Sequence, residues 1–547
     1  MRNKFYFLFL FISNSIFGQF TIDPSFNQNG TNEFIQFSGN VVNGQKIAYN
    51  ADQSIIVAGR WNDQLTIWKY LQNGTLDTNF GQGGLSAIPM PNGIWTLVKD
   101  LQILPDGRIV VLADALLFYS PNIDYSQCSI ALARFLPNGM PDPSFNNAGL
   151  LLTRPQISYE YMSRTLEVTA DGSLFVGGYS AAYGHYSCAS AQSDYYAWFI
   201  AKFLENCAYD TSFNNTGYIQ RPSVDIAQNV FQPQTYNASI LDIQVGSDQS
   251  IVFAGAFNGQ DHGYFSGKLL ANGDYDLSYA LNGRSPIHDP AIYFPANDGS
   301  YAYIQPDQSI LYVAQYVNYG NPTVLDSTFL RVYKMNATGS VDQGFANLGE
   351  LQFSVASNQV RLSSDNQGRL VFCWYSKRIN GSQEVGFRRY LPNGTLDQNF
   401  GSVGTLIDEP LANDPFMNMS SVNDLVFNPN NTDLSIVSYR SANYVPTSFR
   451  VLNYLVDTTI NTTQIIENEL NDVELYPCPV TDAFTLDTKR HFERGKIAIF
   501  DLKGSLIYAA PIFEYENRIS TNNWQPGTYL ISIELDQHLY HTKVSKL

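Results

Sequence analysis

Hydrophobic positions in this chain fall into short runs broken by turn-forming residues. Residues 98–113, "VKDLQILPDGRIVVLA", give an apolar-alternating stretch, an Asp-Gly pair and a continuous apolar run. Alternation predicts a strand covered on one face, and the unbroken run predicts a strand covered on both. The Asp-Gly pair suits a tight hairpin, because Gly tolerates positive φ and Asp accepts bonds from nearby backbone amides. After a variable loop, "SIALARFLPNG" (129–139) supplies a third strand and a second turn, and "MPDPSFNNAGLLLT" (140–153) supplies a fourth strand.

The same four-part pattern recurs along the chain. Aligned on one aspartate, the copies are "IDPSFNQNG" (Asp23), "LDTNFGQGG" (Asp77), "PDPSFNNAG" (Asp142), "YDTSFNNTG" (Asp210), "YDLSYALNG" (Asp276), "VDQGFANLG" (Asp342) and "LDQNFGSVG" (Asp397). Their spacing averages about 62 residues, the signature of an array of like units. Between them runs a second series: "ADQSIIVAG" (Asp52), "PDGRIVVLA" (Asp106), "ADGSLFVGG" (Asp171), "SDQSIVFAG" (Asp248), "PDQSILYVA" (Asp307) and two weaker copies at Gln367 and Asp433. Four strands per unit make the blade of a β-propeller, in which no unit can bury its apolar faces alone. The predicted fold is all-β, with a seven-bladed propeller of four-stranded blades over residues 19–458. Residues 20–26, "FTIDPSF", are the end of a repeat without its beginning, and the last unit, running through "FRVLNYLVDTT", lacks that ending. A ring closed by the N-terminal strand explains both.

Composition agrees with short strands and tight turns: 44% of residues are hydrophobic, only 15% are charged, and Tyr and Phe number 35 each. The alternation of "LPDGRIVVLA" with "ARFLPNGMPDPSFNNAG" resembles the delta-60 repeat, a β-propeller family of secreted and surface bacterial proteins, over most of residues 20–457. The copy at Asp276 departs from the family pattern, and several copies replace Asp-Gly by Asp-Gln-Ser. The resemblance implies architecture, since the family shares no common activity.

Beyond a polar linker at 459–471, the character of the chain changes. "VELYPCPVTDAFTLD", "GKIAIFDLKGSLIY" and "NWQPGTYLISIELDQHLYHTKVSKL" resemble the C-terminal sorting domain of the type IX secretion system. Matching positions are Leu475, Tyr476, Pro477, Pro479 and Val480, then Asp501 and Gly504, then Pro526, Gly527, Thr528 and Tyr529, with Lys543 and Lys546 near the end. Cys478 stands where the family usually has Asn. The resemblance implies that residues 472–547 form a small Ig-like β-sandwich read by the type IX machinery, with the tail then removed and the protein released or held at the cell surface.

Residues 1–18 place Arg2 and Lys4 ahead of an apolar run from Phe5 to Ile12, the pattern of a signal peptide cut between Gly18 and Gln19. The run is shorter than the roughly 20 residues of a membrane-spanning helix, and no later segment is long and apolar enough to span. Removal of this leader takes away two of 32 basic residues and no acid, leaving 30 against 49 and a net charge of −19. So acidic a chain is a poor partner for nucleic acid.

Candidate chemistry is sparse. Of six histidines, His491, His538 and His541 lie in the tail, leaving His185, His262 and His288. No HExxH, GxSxG or Walker loop occurs in a strand and helix context. One carboxylate per turn is a poor calcium site, because that cation takes six to eight oxygens, and turn capping accounts for the repeated aspartates. No cofactor and no metal are therefore expected. The most pointed stretch is "YSAAYGHYSCASAQSDYYAWF" (179–199), where Tyr183, Tyr186, Tyr195, Tyr196 and Trp198 surround Cys188. Such residues give contact area at low entropic cost, and the loop reads either as a ligand platform or as a self-packed staple. Cys128 pairs with Cys188 in one reading and Cys188 with Cys207 in another, while Cys373 reads as a buried strand residue. The expectation is an exported monomer that is a non-catalytic binding or scaffold module for a surface glycan or protein. The alternatives are a lectin-like adhesin and a polysaccharide-active hydrolase with dispersed carboxylates.

Overall fold

The computed structural model describes residues 20–456 and 473–546, apart from internal segments of which the longest are 118–126, 183–195, 223–236, 289–300, 319–326 and 409–418. The chain divides into two compact units, residues 1–458 and 459–547.

The first unit is a seven-bladed β-propeller. Blades 1 to 6 are antiparallel four-stranded sheets spanning Val42–Pro89, Trp95–Thr153, Tyr159–Pro222, Asn237–His288, Tyr301–Val355 and Val360–Asp408. Blade 7 contributes Met419–Phe427, Asp433–Ala442 and Val445–Val456, and two N-terminal strands, Phe20–Ile22 and Thr31–Ile35, pair along its last strand. The ring thus closes as the truncated first repeat implies. The first strand of each blade is innermost, and neighbouring first strands approach one another around the axis.

Seven apolar clusters hold the blades together, and each lies between two neighbours. Ile56, Ile67 and Phe80 of blade 1 meet Ile109 and Val111 of blade 2, and the series runs round to Val437 and Phe449 of blade 7 against Val42 and Val57 of blade 1. The strand Ile109–Leu117 is apolar through its first five residues because their alternate side chains enter two different clusters. Because the strands alternate in direction, the turns after the first and third strands share one face of the disc. The other connections share the opposite face.

On the turn face, backbone bonds tie one blade to the next at five of the seven junctions. The residue after the repeated aromatic takes positive φ (Asn27 47°, Ala280 44°, Ala346 46°). That twist aims its N–H at a turn carbonyl of the following blade: Asn27 to Asn73 at 2.7 Å, Gly81 to Asn138 at 2.7 Å, Asn214 to Asn272 at 2.7 Å, Ala280 to Thr338 at 3.1 Å and Ala346 to Asn393 at 2.7 Å.

The C-terminal unit packs a three-stranded sheet (Val473–Tyr476, Ala483–Thr488, Glu516–Ser520) and a four-stranded sheet (Leu506–Ile512, Gly495–Asp501, Gly527–Leu535, His538–Lys546) around one core. Phe484, Leu486, Ile497, Ile499, Ile531 and Val544 fill that core. It is a small β-sandwich.

Candidate functional site

The turn face uses its repeated aspartates twice over. In blade 2, one Asp142 oxygen accepts the Ser144 N–H at 2.9 Å and its hydroxyl at 2.7 Å, closing the turn. The other oxygen takes Arg134 Nε at 2.7 Å. Equivalent pairs are Lys69 with Asp77 (3.3 Å), Lys202 with Asp210 (2.7 Å), Lys268 with Asp276 (3.9 Å), Lys334 with Asp342 (3.7 Å) and Arg389 with Asp397 (2.8 Å). The pairing is dictated by hairpin register: Phe135 bridges Pro141, which sets the preceding residue, Arg134, opposite Asp142. Turn capping by these aspartates is the role expected from sequence. The cation eight residues earlier was not anticipated, although "KYLQNGTLD", "RFLPNGMPD" and "KFLENCAYD" display it.

These bonds favour the charged carboxylate. The Ser278 hydroxyl on Asp276, the Ser250 hydroxyl on Asp248 and the Thr169 hydroxyl on Asp171 hold the three carboxyls below the usual range. Grooves of about 550 Å³ and 640 Å³ open between blades 2 and 3 and between blades 7 and 1, lined by the same Asp-x-Ser turns.

Around the axis the same residue type behaves oppositely. A bulge in the innermost strands of blades 2, 4 and 7 turns Asp100, Asp242 and Asp424 toward the next blade. Asp100 Oδ2 accepts the Leu166 N–H at 2.8 Å, Asp242 Oδ2 the Ile304 N–H at 2.7 Å, and Asp424 Oδ2 the Ile47 N–H at 3.2 Å. Gln45 of blade 1 does the same for Val98 at 2.9 Å. The innermost strand of each blade is a sheet edge with no strand hydrogen-bonded on its inner side, so these side chains satisfy amides that have no strand partner. Burial pushes Asp100 and Asp114 above the usual range. Asp242 is pushed up to about 7 by burial and by the Asp100 charge, against the opposing bonds from Ile304, Ile243 and Thr165. Lys46 lies 3.8 Å from Asp424, and Lys99 lies 3.4 Å from Asp114. Near the opposite end of the inner strand of blade 3, burial raises Glu160 to about 7. Among the described residues no group of three or more His, Cys, Asp or Glu side chains is arranged to hold a metal ion.

The tyrosine-rich segment is only partly described. Tyr183, Tyr186, Cys188 and Tyr195 lie outside the described residues, and Tyr196 opens the strand Tyr196–Phe203 without a described side chain. Trp198 is a correction. It is fully buried, stacked on Phe253 of blade 4 at 5.3 Å, and belongs to the core between blades 3 and 4 rather than to any ligand surface. Its strand is covered on both faces, so the side chain has no outward side to offer a ligand.

Cys128 is buried on the strand Gln127–Phe135 and disulfide-bonded, with its partner outside the described residues. Cys207 is a free thiol, which removes the rival Cys188–Cys207 pairing, and buried Cys373 is also free. Cys207 occupies the turn position where other blades have Gly, at φ 71°. Burial raises its thiol to about 11, and the Asn146 N–H bonds to it. Of the sorting-motif positions, Leu475 packs on the tail core, Tyr476 and Pro479 are exposed, and buried Tyr529 donates to the Gln525 carbonyl at 2.7 Å. Gly527 opens a strand with open space around it. Gly18, Gln19, Pro477, Cys478 and Gly504 lie outside the described residues.

Residues 474–546 match the secretion system C-terminal sorting domain. Residues 104–145 and 368–400 match a β-propeller domain of unknown function, DUF5122. No curated protein matches the chain significantly. Similar solved structures include the polysaccharide lyase Uly1, at 8% identity and a TM-score of 0.41 over 80% of this chain and 96% of that one. A protein of unknown function from Dyadobacter fermentans DSM 18053 gives 11% identity and a TM-score of 0.36 over 65% and 97%. An endo-1,4-beta-xylanase from Bacteroides thetaiotaomicron VPI-5482 gives 8% and 0.26 over 59% and 98%.

Proposed function

We propose that the propeller is a non-catalytic display platform, binding a protein or glycan through the face opposite the repeated turns, at the cell surface or beyond the cell where the C-terminal sorting domain directs it. The observation that supports this reading is the contrast between connections. Those on the turn face repeat from blade to blade, whereas those on the other face differ: blade 1 joins its second and third strands through Asn62 and Asp63 alone, and blade 3 uses residues 183–195. A scaffold that holds one face constant and varies the other has the layout of a recognition module.

The repeated carboxylates argue in the same direction, because turn caps, ion pairs and backbone amides already engage them. A glycan is the favoured ligand class for the second reading, given the tyrosines of residues 179–196. The test replaces residues 183–195 by the two-residue Asn-Asp connection of blade 1, then compares glycan-array binding and cell-surface cross-linking with the unaltered protein. Loss of a reproducible ligand with an unchanged melting temperature supports the platform. Retention of that ligand after each long connection on this face has been shortened, or release of reducing sugar from a polysaccharide, overturns it.

A further inference from the structure

The junction that closes the ring is built unlike the other six. In blades 1 to 6 a hairpin turn joins the third strand to the repeated aspartate, and a Lys or Arg pairs with that aspartate. In blade 7 there is no hairpin: Asp23 arrives on the N-terminal strand, which pairs Phe20 with Val456, Thr21 with Leu455 and Ile22 with Tyr454. The backbone geometry is kept, since the Asp23 N–H meets the Asn453 carbonyl at 2.9 Å just as Asp77 meets Lys69 at 2.8 Å. The charge is not kept. Asn453 stands where the others have a cation, and its amide reaches Asp23 at 3.3 Å and Asp433 at 3.4 Å.

An aromatic anchor replaces what is lost. In blades 1, 2, 4, 5 and 6 a turn glycine sits over the aromatic ring of the preceding blade, as Gly394 sits over Phe345. Phe20 takes that place, buried against Phe400 at 4.9 Å, Phe387 at 5.1 Å and Phe427 at 6.1 Å. Downstream, Thr31–Ile35 completes the sheet by pairing with Ser448–Leu452. The only covalent route from residues 20–35 into the ring runs to blade 1, so their loss from blade 7 leaves every hairpin intact.

We propose that residues 20–35 are a releasable clasp: the ring opens and closes at blade 7, with this segment leaving as one unit while the remaining strands stay folded. Contiguous segments held by fewer interactions open below the global unfolding free energy, and this one lacks both the hairpin tether and the ion pair of its six counterparts.

Hydrogen–deuterium exchange of the full chain, read peptide by peptide, tests the clasp. Peptides within residues 20–35 are expected to exchange about tenfold or more faster than those over the fourth strands Leu85–Pro89 and Glu350–Val355. Asn453→Lys supplies the missing cation and should slow exchange in 20–35 alone. Phe20→Ala should speed it there alone. Equal protection of 20–35 and the other fourth strands overturns the proposal, and so does a Phe20→Ala variant in which all seven blades accelerate together.

Discussion

Aspartates of the turn face and aspartates of the axis share one side chain and little else. Asp276 is capped by a serine at the surface and sits below the ordinary carboxyl range, whereas Asp242 is enclosed between blades and holds its proton to about 7. On the turn face the bonds come from hydroxyls, amides and cations, all of which favour the anion. At the axis, backbone amides supply bonds but burial dominates. The lesson is that Asp276 and Asp242 differ through their surroundings: capping at the surface favours the anion, and enclosure between blades favours the proton.

The contrast breaks most sharply at Arg389. Its pair with Asp397 is almost wholly enclosed and its guanidinium lies 4.6 Å from the Phe400 ring centre. Arg389→Ala strands a buried carboxylate and should cost on the order of 3–5 kcal/mol, measured by chemical denaturation. A loss below about 1 kcal/mol would mean that Asp397 is solvated after all. Arg389→Ala combined with Asp397→Leu should recover part of the loss, since neither charge then remains unpaired.

The pH dependence separates the two sets. A carboxyl raised to about 7 in the fold and near 3.8 when unfolded keeps its proton only in the native state. The native advantage from Asp242 is therefore full below about pH 4 and is lost as pH rises to about 7. Depressed carboxyls such as Asp171 and Asp248 act the other way, contributing above the ordinary carboxyl range and losing that contribution as pH falls through their folded values. Asp242→Asn should flatten the decline in melting temperature between pH 4 and 7. An unchanged slope would assign the decline to other groups.

The smallest effect is expected at an exposed cap. Ser278→Ala removes the hydroxyl bond to Asp276 but leaves the Ser278 amide bond at 3.0 Å. It should cost less than about 1 kcal/mol and raise the Asp276 pKa toward its ordinary value, visible by NMR titration.

Much of this was legible in sequence where a local signal repeats. Asp-Gly and Asp-x-Ser-Phe marked the turns, and the displaced first repeat marked the closure. The cations at Lys69, Arg134 and Lys202 were written just as regularly, but their meaning lies across a hairpin, in a pairing that only register reveals. Asp100 and Asp242 sit in inner strands that mix polar and apolar positions, and nothing local says that an unpaired amide of the next blade awaits each. Trp198 misled for a related reason. A strand covered on both faces gives its aromatics no outward side, and alternation along one strand cannot report what neighbouring blades cover.

The blade-to-blade bonds of the turn face have a bearing on how such a ring is inherited. At five of the seven junctions a repeat carries a donor after its aromatic for the unit ahead, which presents an acceptor in its turn. A tandem duplication of about 62 residues, begun at any point within the array, would copy both halves of the lock together. Blade number could therefore change in a single genetic event without new contacts having to arise.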